Sequence, residues 1–286
     1  MIVHSHAKFR NNNFYWRSFD VQEEMMENYP LLEVEKLALK KLKTYKQSIL
    51  RYLLRSMLAS MFIGFGVIVA FKTGGYFYNE HSPVAYPMAA FTFGAAIILI
   101  AYGGGDLFTG NTFYFTYTAL RKKMSWNHVW RLWGLSYIGN ILGATAFALL
   151  IYVTGLFAET SVNSFLLSVV EKKMHVPTME LFFRAILCNW LVCLAFFIPM
   201  GMKENGAKLF VMILFVFCFF ISGYEHSIAN MCTFAIALVL NHPGTISFSG
   251  VIHNLIPVTI GNLIGGSILM GAMYYYVNLP FLDDEH

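Results

Sequence analysis

Six stretches of this chain carry apolar residues in runs long enough to cross a bilayer as helices, which takes about 20 residues each. They cover residues 54–75, 86–120, 129–154, 179–202, 207–240 and 251–277. Ahead of them, Leu32, Leu39, Leu42, Ile49 and Leu53 recur at helical spacing among lysines over residues 31–53. That pattern predicts an amphipathic helix on the cytoplasmic membrane face, leading into the first span. The second and fifth runs are too long for single spans, and their centres are polar: GGGDLF at 103–108 and GYEHSI at 223–228. Lipid cannot satisfy the backbone groups of a broken helix, so such breaks persist only where protein walls a cavity. Both spans are therefore expected to be split into half-helices that meet at a pore.

The two interrupted runs correspond to each other. DLFTGN at Asp106–Asn111 and EHSIAN at Glu225–Asn230 each set an acid five positions before an asparagine, at an offset of 119 residues. GNILG at Gly139–Gly143 and GNLIG at Gly261–Gly265 repeat at an offset of 122. Short glycine-asparagine patterns recur by chance, but matched spacing and paired breaks argue against chance here. Each half holds three spans, an odd number, so the halves run in opposite directions. The expected fold is an all-α membrane protein of six transmembrane helices in an inverted 3+3 repeat, with spans 2 and 5 broken and a site at the midplane. Arg121, Lys122, Lys123, Arg131, Lys203 and Lys208 mark two loops as cytoplasmic, whereas 241–250 has no Lys or Arg; both termini are expected in the cytoplasm. The organisation is a cytoplasmic N-terminal segment (1–53), a transmembrane channel domain (54–277) and a cytoplasmic tail (278–286).

Composition agrees with the pattern. Apolar residues make up 57% and charged residues 13%, with a mean hydropathy of +0.55; a soluble domain averages roughly 45–50% and about 25%. The net charge of +4 gathers at Lys36, Lys40, Lys41, Lys43, Lys46, Arg51 and Arg55. Abutting a span, that cluster reads as a positive-inside flank rather than a nucleic-acid site. Cys188, Cys193, Cys218 and Cys232 lie in apolar runs without zinc or disulfide spacing, as buried thiols do. No metal or cofactor is expected. The polar first fifty residues lead us to expect no cleavable signal peptide. HExxH, GxSxG, phosphate-loop and paired intramembrane aspartate motifs are missing, which argues against an enzyme.

The chemistry concentrates at the breaks. An ionisable side chain in mid-span usually faces a pore or cavity, and histidine alone changes charge near neutral pH without a large perturbation. His226 reads as a pore group or as a core histidine bonded to a helix carbonyl; its place in a break favours the pore. A carboxylate lining an anion path would repel its substrate, so Glu225 is expected to turn away, accepting bonds from backbone or from a small polar residue of the opposing half, and Asp106 likewise. Thr109 and Asn189 are polar groups able to reach the constriction, the amide holding the hydroxyl in place. Half-helix N-termini at 109 and 227 would offer N–H groups and a positive dipole end to an anion. Phe93 and Phe219 stand nearest a possible apolar neck, with Ile97 and Leu107 nearer the loops. Stripping an ion of water at such a neck costs many kcal/mol, which favours passage of a neutral acid. Lys173, outside the fourth span in EKKMHVPTME, reads from spacing alone as a solvated charge on a surface loop.

Five stretches in order resemble the formate/nitrite transporter family: DLFTGN (106–111), KMHVPTME (173–180), AILCNWLVCLA (185–195), SGYEHSIANM (222–231) and NLIPVTIGNLIGG (254–266). They span essentially the whole membrane domain. The resemblance implies a homopentamer in the cell membrane, with an aquaporin-like protomer and one pore per subunit. It implies that Leu107, Phe108 and Thr109 sit on a flexible loop of span two, and that His226 is the central pore histidine. Phe93 and Phe219 would form the outer constriction, and Ile97 and Leu107 would lie near the inner one. Asn189 would steady Thr109, and Lys173 would attract anions into a vestibule. The implied cargo is a small monovalent anion, formate or nitrite foremost, moved with a proton as the neutral acid. Hydrosulfide or lactate selectivity within the family, or an aquaporin-like neutral-solute channel, are the other readings. Gly105 stands where alanine is common and Tyr224 where phenylalanine is usual, and the N-terminal segment is longer than the family's short cytoplasmic helix.

Overall fold

The computed structural model describes residues 13–282 apart from residue 158, with side chains over 29–280 apart from 158, 160 and 161. The chain ends, including the last four residues of the expected C-terminal tail, lie outside the described residues. Among the described residues there is no strand. Helix α1 (Asn13–Gln47) precedes α2 (Ile49–Asn79), the first apolar run. The second run is α3 (Ala85–Thr92), α4 (Ala95–Gly103) and α5 (Phe108–Leu120), and the third is α6 (Trp126–Thr154). A helix outside the apolar runs, α7 (Thr160–Met174), leads to α8 (Thr178–Phe197). The fifth run is α9 (Asn205–Ile221) with α10 (Ser227–Val239); the sixth is α11 (Phe248–Ile264), a π-helical turn (Gly265–Ala272) and α12 (Met273–Leu282). Five helices, 49–79, 85–103, 126–154, 178–201 and 248–280, are long and apolar enough to cross a membrane. At 17 and 13 residues, α9 and α10 fall short singly.

Residues 104–107 separate α4 from α5, and 222–226 separate α9 from α10. Each break carries a left-handed glycine near its start, Gly104 at φ +76 and Gly223 at φ +70. A side chain there would cost about 1–2 kcal/mol. Each is then stitched by one fully buried asparagine. Asn140 Oδ1 accepts from the Phe108 N–H (3.0 Å) while its Nδ2 donates to Ser56 O (2.6 Å) and Asp106 O (3.3 Å). Asn262 Oδ1 accepts from the Ser227 N–H (2.8 Å) while its Nδ2 donates to Ala185 O (2.8 Å) and Glu225 O (2.9 Å). The glycines after these asparagines admit close helix crossings. A Cβ on Gly143 would stand 2.2 Å from Met57 O, and one on Gly265 would stand 2.3 Å from Ile186 O.

Four features depart from expectation. The amphipathic segment does not run unbroken into the first span: Ser48, at φ −165 and ψ 115, ends α1 and caps α2 by accepting from the Arg51 N–H. The second run has another interruption at Phe93–Gly94. The stretch bearing Lys173 is helical rather than a surface loop. The last span contains a π turn, whose Gly266 and Gly271 lie against Thr112 and Thr116 of α5. Helix α1 is also more than a surface element: Leu31, Val34 and Ala38 are buried in the core, and Glu35 pairs with Lys123 at 2.7 Å.

Candidate functional site

Four cavities follow one another through the molecule, each sharing wall residues with the next. The first, about 310 Å³, lies under α1 and is lined by Lys40, Lys41, Arg55, Asp106 and Lys208, with Ile100, Leu107 and Phe196 at its deep end. Those three also line the second, of about 20 Å³, together with Phe93, Ile97, Phe219 and His226. Phe93, Phe219 and His226 then wall the third, of about 30 Å³, which reaches Tyr86 and Lys173. Tyr86 and Lys173 also line the fourth, of about 450 Å³, with Lys172, Arg184 and Glu225. A water needs roughly 10–15 Å³ by this measure, so the middle of the series admits about one or two, between apolar walls.

His226 stands at that narrow point because it is the N-cap of α10. Its backbone is extended (φ −109, ψ 115), and its Nδ1 accepts from the Ala229 N–H at 3.0 Å. An accepting Nδ1 carries no proton, which puts the neutral ring's N–H on Nε2. That nitrogen meets Thr109 Oγ1 at 2.9 Å, so Nε2–H donates to the hydroxyl. Phe219 stacks on the imidazole with centroids 6.0 Å apart and meets Phe93 edge-on at 6.2 Å. The two breaks are thereby joined across the centre by one side-chain hydrogen bond.

The other expected residues fall in varied places. Asn189, fully buried, donates to the backbone carbonyl of Thr109 (3.2 Å), to Thr112 Oγ1 (3.0 Å) and to Asn262 O (2.6 Å). It grips helix backbone rather than the Thr109 hydroxyl, and it lines none of the four cavities. Of the three residues expected on a flexible loop, only Leu107 lies in the break. Phe108 and Thr109 form the first turn of α5, and the Phe108 ring packs edge-on against Tyr137. Asp106 and Glu225 accept from side chains of their own halves rather than the opposing one. Glu225 takes Lys173 Nζ at 2.9 Å and the Asn230 amide. Asp106 accepts from Arg55 Nε at 2.8 Å and forms an ion pair with Lys41 Nζ at 3.0 Å.

Lys41 and Arg55, grouped in sequence with a positive-inside flank, thus reach the break itself. Lys41 also donates to Asn111 Oδ1 and lies over the Tyr114 ring. Asn111 and Asn230 are the asparagines five residues after each acid, so the repeat that located the acids also located their neighbours. The two lysines titrate in opposite directions. For Lys41, burial depresses the pKa more than Asp106 lifts it, and the Arg55 charge adds to the depression. For Lys173, burial is again the largest single influence, but the Glu225 charge with Tyr86 and the hydrogen bond outweighs it, and the pKa is raised. Among the described residues no three His, Cys, Asp or Glu side chains converge to hold a metal ion.

A family model described as formate/nitrite transporter matches residues 31–276. The chain is 64% identical over 253 residues to the uncharacterized transporter YwcJ of Bacillus subtilis (strain 168), covering 88% of this chain and 99% of the relative. It is 37% identical over 234 residues to the nitrite transporter NirC of Escherichia coli (strain K12), covering 80% and 85%. A solved structure titled pentameric formate channel with formate bound superposes with a TM-score of 0.67 at 26% identity, over 86% of this chain and 99% of that one.

Proposed function

The chain belongs to the formate/nitrite transporter family, and we propose that it carries formate, with nitrite as a second substrate, through each protomer of a homopentamer in the cell membrane. The observation that carries this reading is the series of four cavities: two roomy vestibules rich in Lys and Arg on either side of an apolar neck that holds His226. The likeness to a pentameric formate channel and to NirC supports both the assembly and the substrates. The protomer is a six-span, aquaporin-like inverted repeat with spans 2 and 5 broken, a reading supported by the matched glycines and asparagines of the breaks. Residues 54–277 form the channel, and both termini lie in the cytoplasm.

Magnitudes decide the chemical form that crosses. Moving a bare carboxylate from water into an apolar medium costs of order 20 kcal/mol in the idealised Born limit, and several kcal/mol after relaxation. Protonating a carboxylic acid of pKa near 4 at pH 7 costs about 4 kcal/mol, at 1.36 per pH unit. The anion enters a vestibule, drawn at one side by Lys173, loses water, gains proton affinity and passes Phe93, Phe219, Ile97 and Leu107 as the neutral acid. His226 offers it the Nε2–H now given to Thr109. A proton relayed through the ring would have to land on Nδ1, which is occupied by the α10 cap, so the proton comes from vestibule water.

Uptake of labelled formate and nitrite by proteoliposomes across a pH series tests the reading. Uptake should rise as the outside is acidified, and His226→Phe should abolish it while the pentamer persists. Unchanged flux in that variant would remove His226 from the mechanism. Rapid water permeation without formate flux would favour a neutral-solute channel instead. The half-helices here begin in LFTGN and HSIAN rather than with the Asn-Pro-Ala of such channels.

A further inference from the structure

Arg55 is the second cation on Asp106, and only part of its donor edge is in use. Its Nε donates to Asp106 Oδ2 at 2.8 Å, and Asp106 itself is fully buried, so the guanidinium is pinned at its inner corner. Among the described residues, Nη1 and Nη2 have no protein partner. The side chain is 37% exposed and lines the 310 Å³ vestibule. It lies over Gly104, the left-handed residue that opens the break; a Cβ there would stand 3.5 Å and 3.6 Å from Nη1 and Nη2. The other cations on this cavity are differently placed: Lys41 is committed to Asp106 and Asn111, and Lys40 and Lys208 are flexible point charges.

We propose that Arg55 binds the transported oxyanion at the Asp106 mouth, receiving it end-on between Nη1 and Nη2 while Nε stays on Asp106. The assignment rests on the anion-transport reading above and adds to it a contact residue and a preferred anion shape. A planar guanidinium fork matches the two oxygens of a carboxylate or nitrite and gives bidentate, charge-assisted bonds. A spherical halide offers one acceptor atom, on which both N–H bonds must converge and bend from linear. The opposite mouth lacks this device: Arg184, whose backbone carbonyl accepts from Glu225 N as that of Arg55 accepts from Asp106 N, turns its side chain to Glu180.

The test is formate flux in proteoliposomes of determined orientation, with substrate varied on one side at a time. Arg55→Lys keeps the charge beside Asp106 and loses the fork. It should raise the half-saturating formate concentration about tenfold from the Asp106 side only, with maximal flux within about twofold of the wild type. An unmoved half-saturation, an equal rise from both sides, or a fall in maximal flux alone would overturn the assignment while leaving formate transport intact. Wild-type protein without saturable flux would instead sink the transport reading, and the assignment with it. Labelling of wild-type protein by phenylglyoxal, read by mass spectrometry at Arg55, gives a measurement that needs no variant. Formate should slow it and equal chloride should not; labelling indifferent to formate, or an unreactive Arg55, would overturn the assignment.

Discussion

The Asp106 and Glu225 mouths are built from the same parts and balanced differently. Each has a buried acid in a helix break, a lysine from the preceding non-spanning helix, an asparagine five residues on, and an arginine whose carbonyl accepts from the acid's N–H. At Asp106 the arginine joins the lysine on the carboxylate. At Glu225 it does not, and Lys173 is the cation that compensates the acid. The lysine shifts run in opposite directions: burial is the largest influence on both and lowers both, but at Lys173 Glu225 and Tyr86 outweigh it, whereas at Lys41 Asp106 does not and the Arg55 charge adds to the lowering. The two breaks share one backbone bonding pattern, and the electrostatics are where they diverge.

The scaffold can be challenged most severely. Asn140→Ala and Asn262→Ala each strip three buried backbone groups of partners, at about 1–3 kcal/mol per group. Both variants should lose several kcal/mol, seen as large falls in melting temperature in detergent. A scaffold duplicated in energy as well as geometry requires similar falls, and tolerance of one would end the equivalence. Next comes the lysine pair. Lys173→Met leaves Glu225 buried without a cation and should cost about 3–5 kcal/mol, as breaking a buried pair does. Lys41→Met leaves Arg55 on Asp106 and should cost about half as much. Equal melting shifts would mean that Arg55 does not compensate Asp106.

The smallest effect is in titration. Lys173, with its pKa raised above the ordinary 10.5, contributes stability that is complete below about pH 10.5 and lost as pH rises through its folded value. Lys41, with its pKa lowered, releases its proton in the folded protein before the unfolded chain would, so its burial penalty is relieved as pH climbs toward 10.5. NMR of lysines labelled at Cε should see Lys41 titrate below the bulk lysines and Lys173 above them. The reverse order would contradict this balance of burial and charge.

Much of this architecture is written in simple patterns. Five of the six apolar runs hold a helix long enough to span, and glycine-flanked acids mark both breaks, because only protein-walled positions tolerate polar backbone in lipid. GNILG and GNLIG marked the stitching asparagines, although not which backbone groups they hold. Lys41 and Arg55 stayed hidden among seven neighbouring cations, since charge counting does not tell a flank from a buried pair. A signal did exist: Arg55-Ser56 and Arg184-Ala185 repeat at an offset of 129. The π turn and the split at Ser48 follow from how neighbouring helices and a cap set the backbone, and no periodicity encodes that. Thr109 was expected at the constriction, but its bond to His226 depends on two breaks meeting across 117 positions.

The claim on which the rest depends is that the cargo crosses the neck without charge. Formate uptake and proton uptake should be measured together in proteoliposomes whose membrane potential is clamped with potassium and valinomycin. The account predicts one proton per formate and a rate indifferent to the imposed potential. Formate entry without protons, driven by an inside-positive potential, would contradict it.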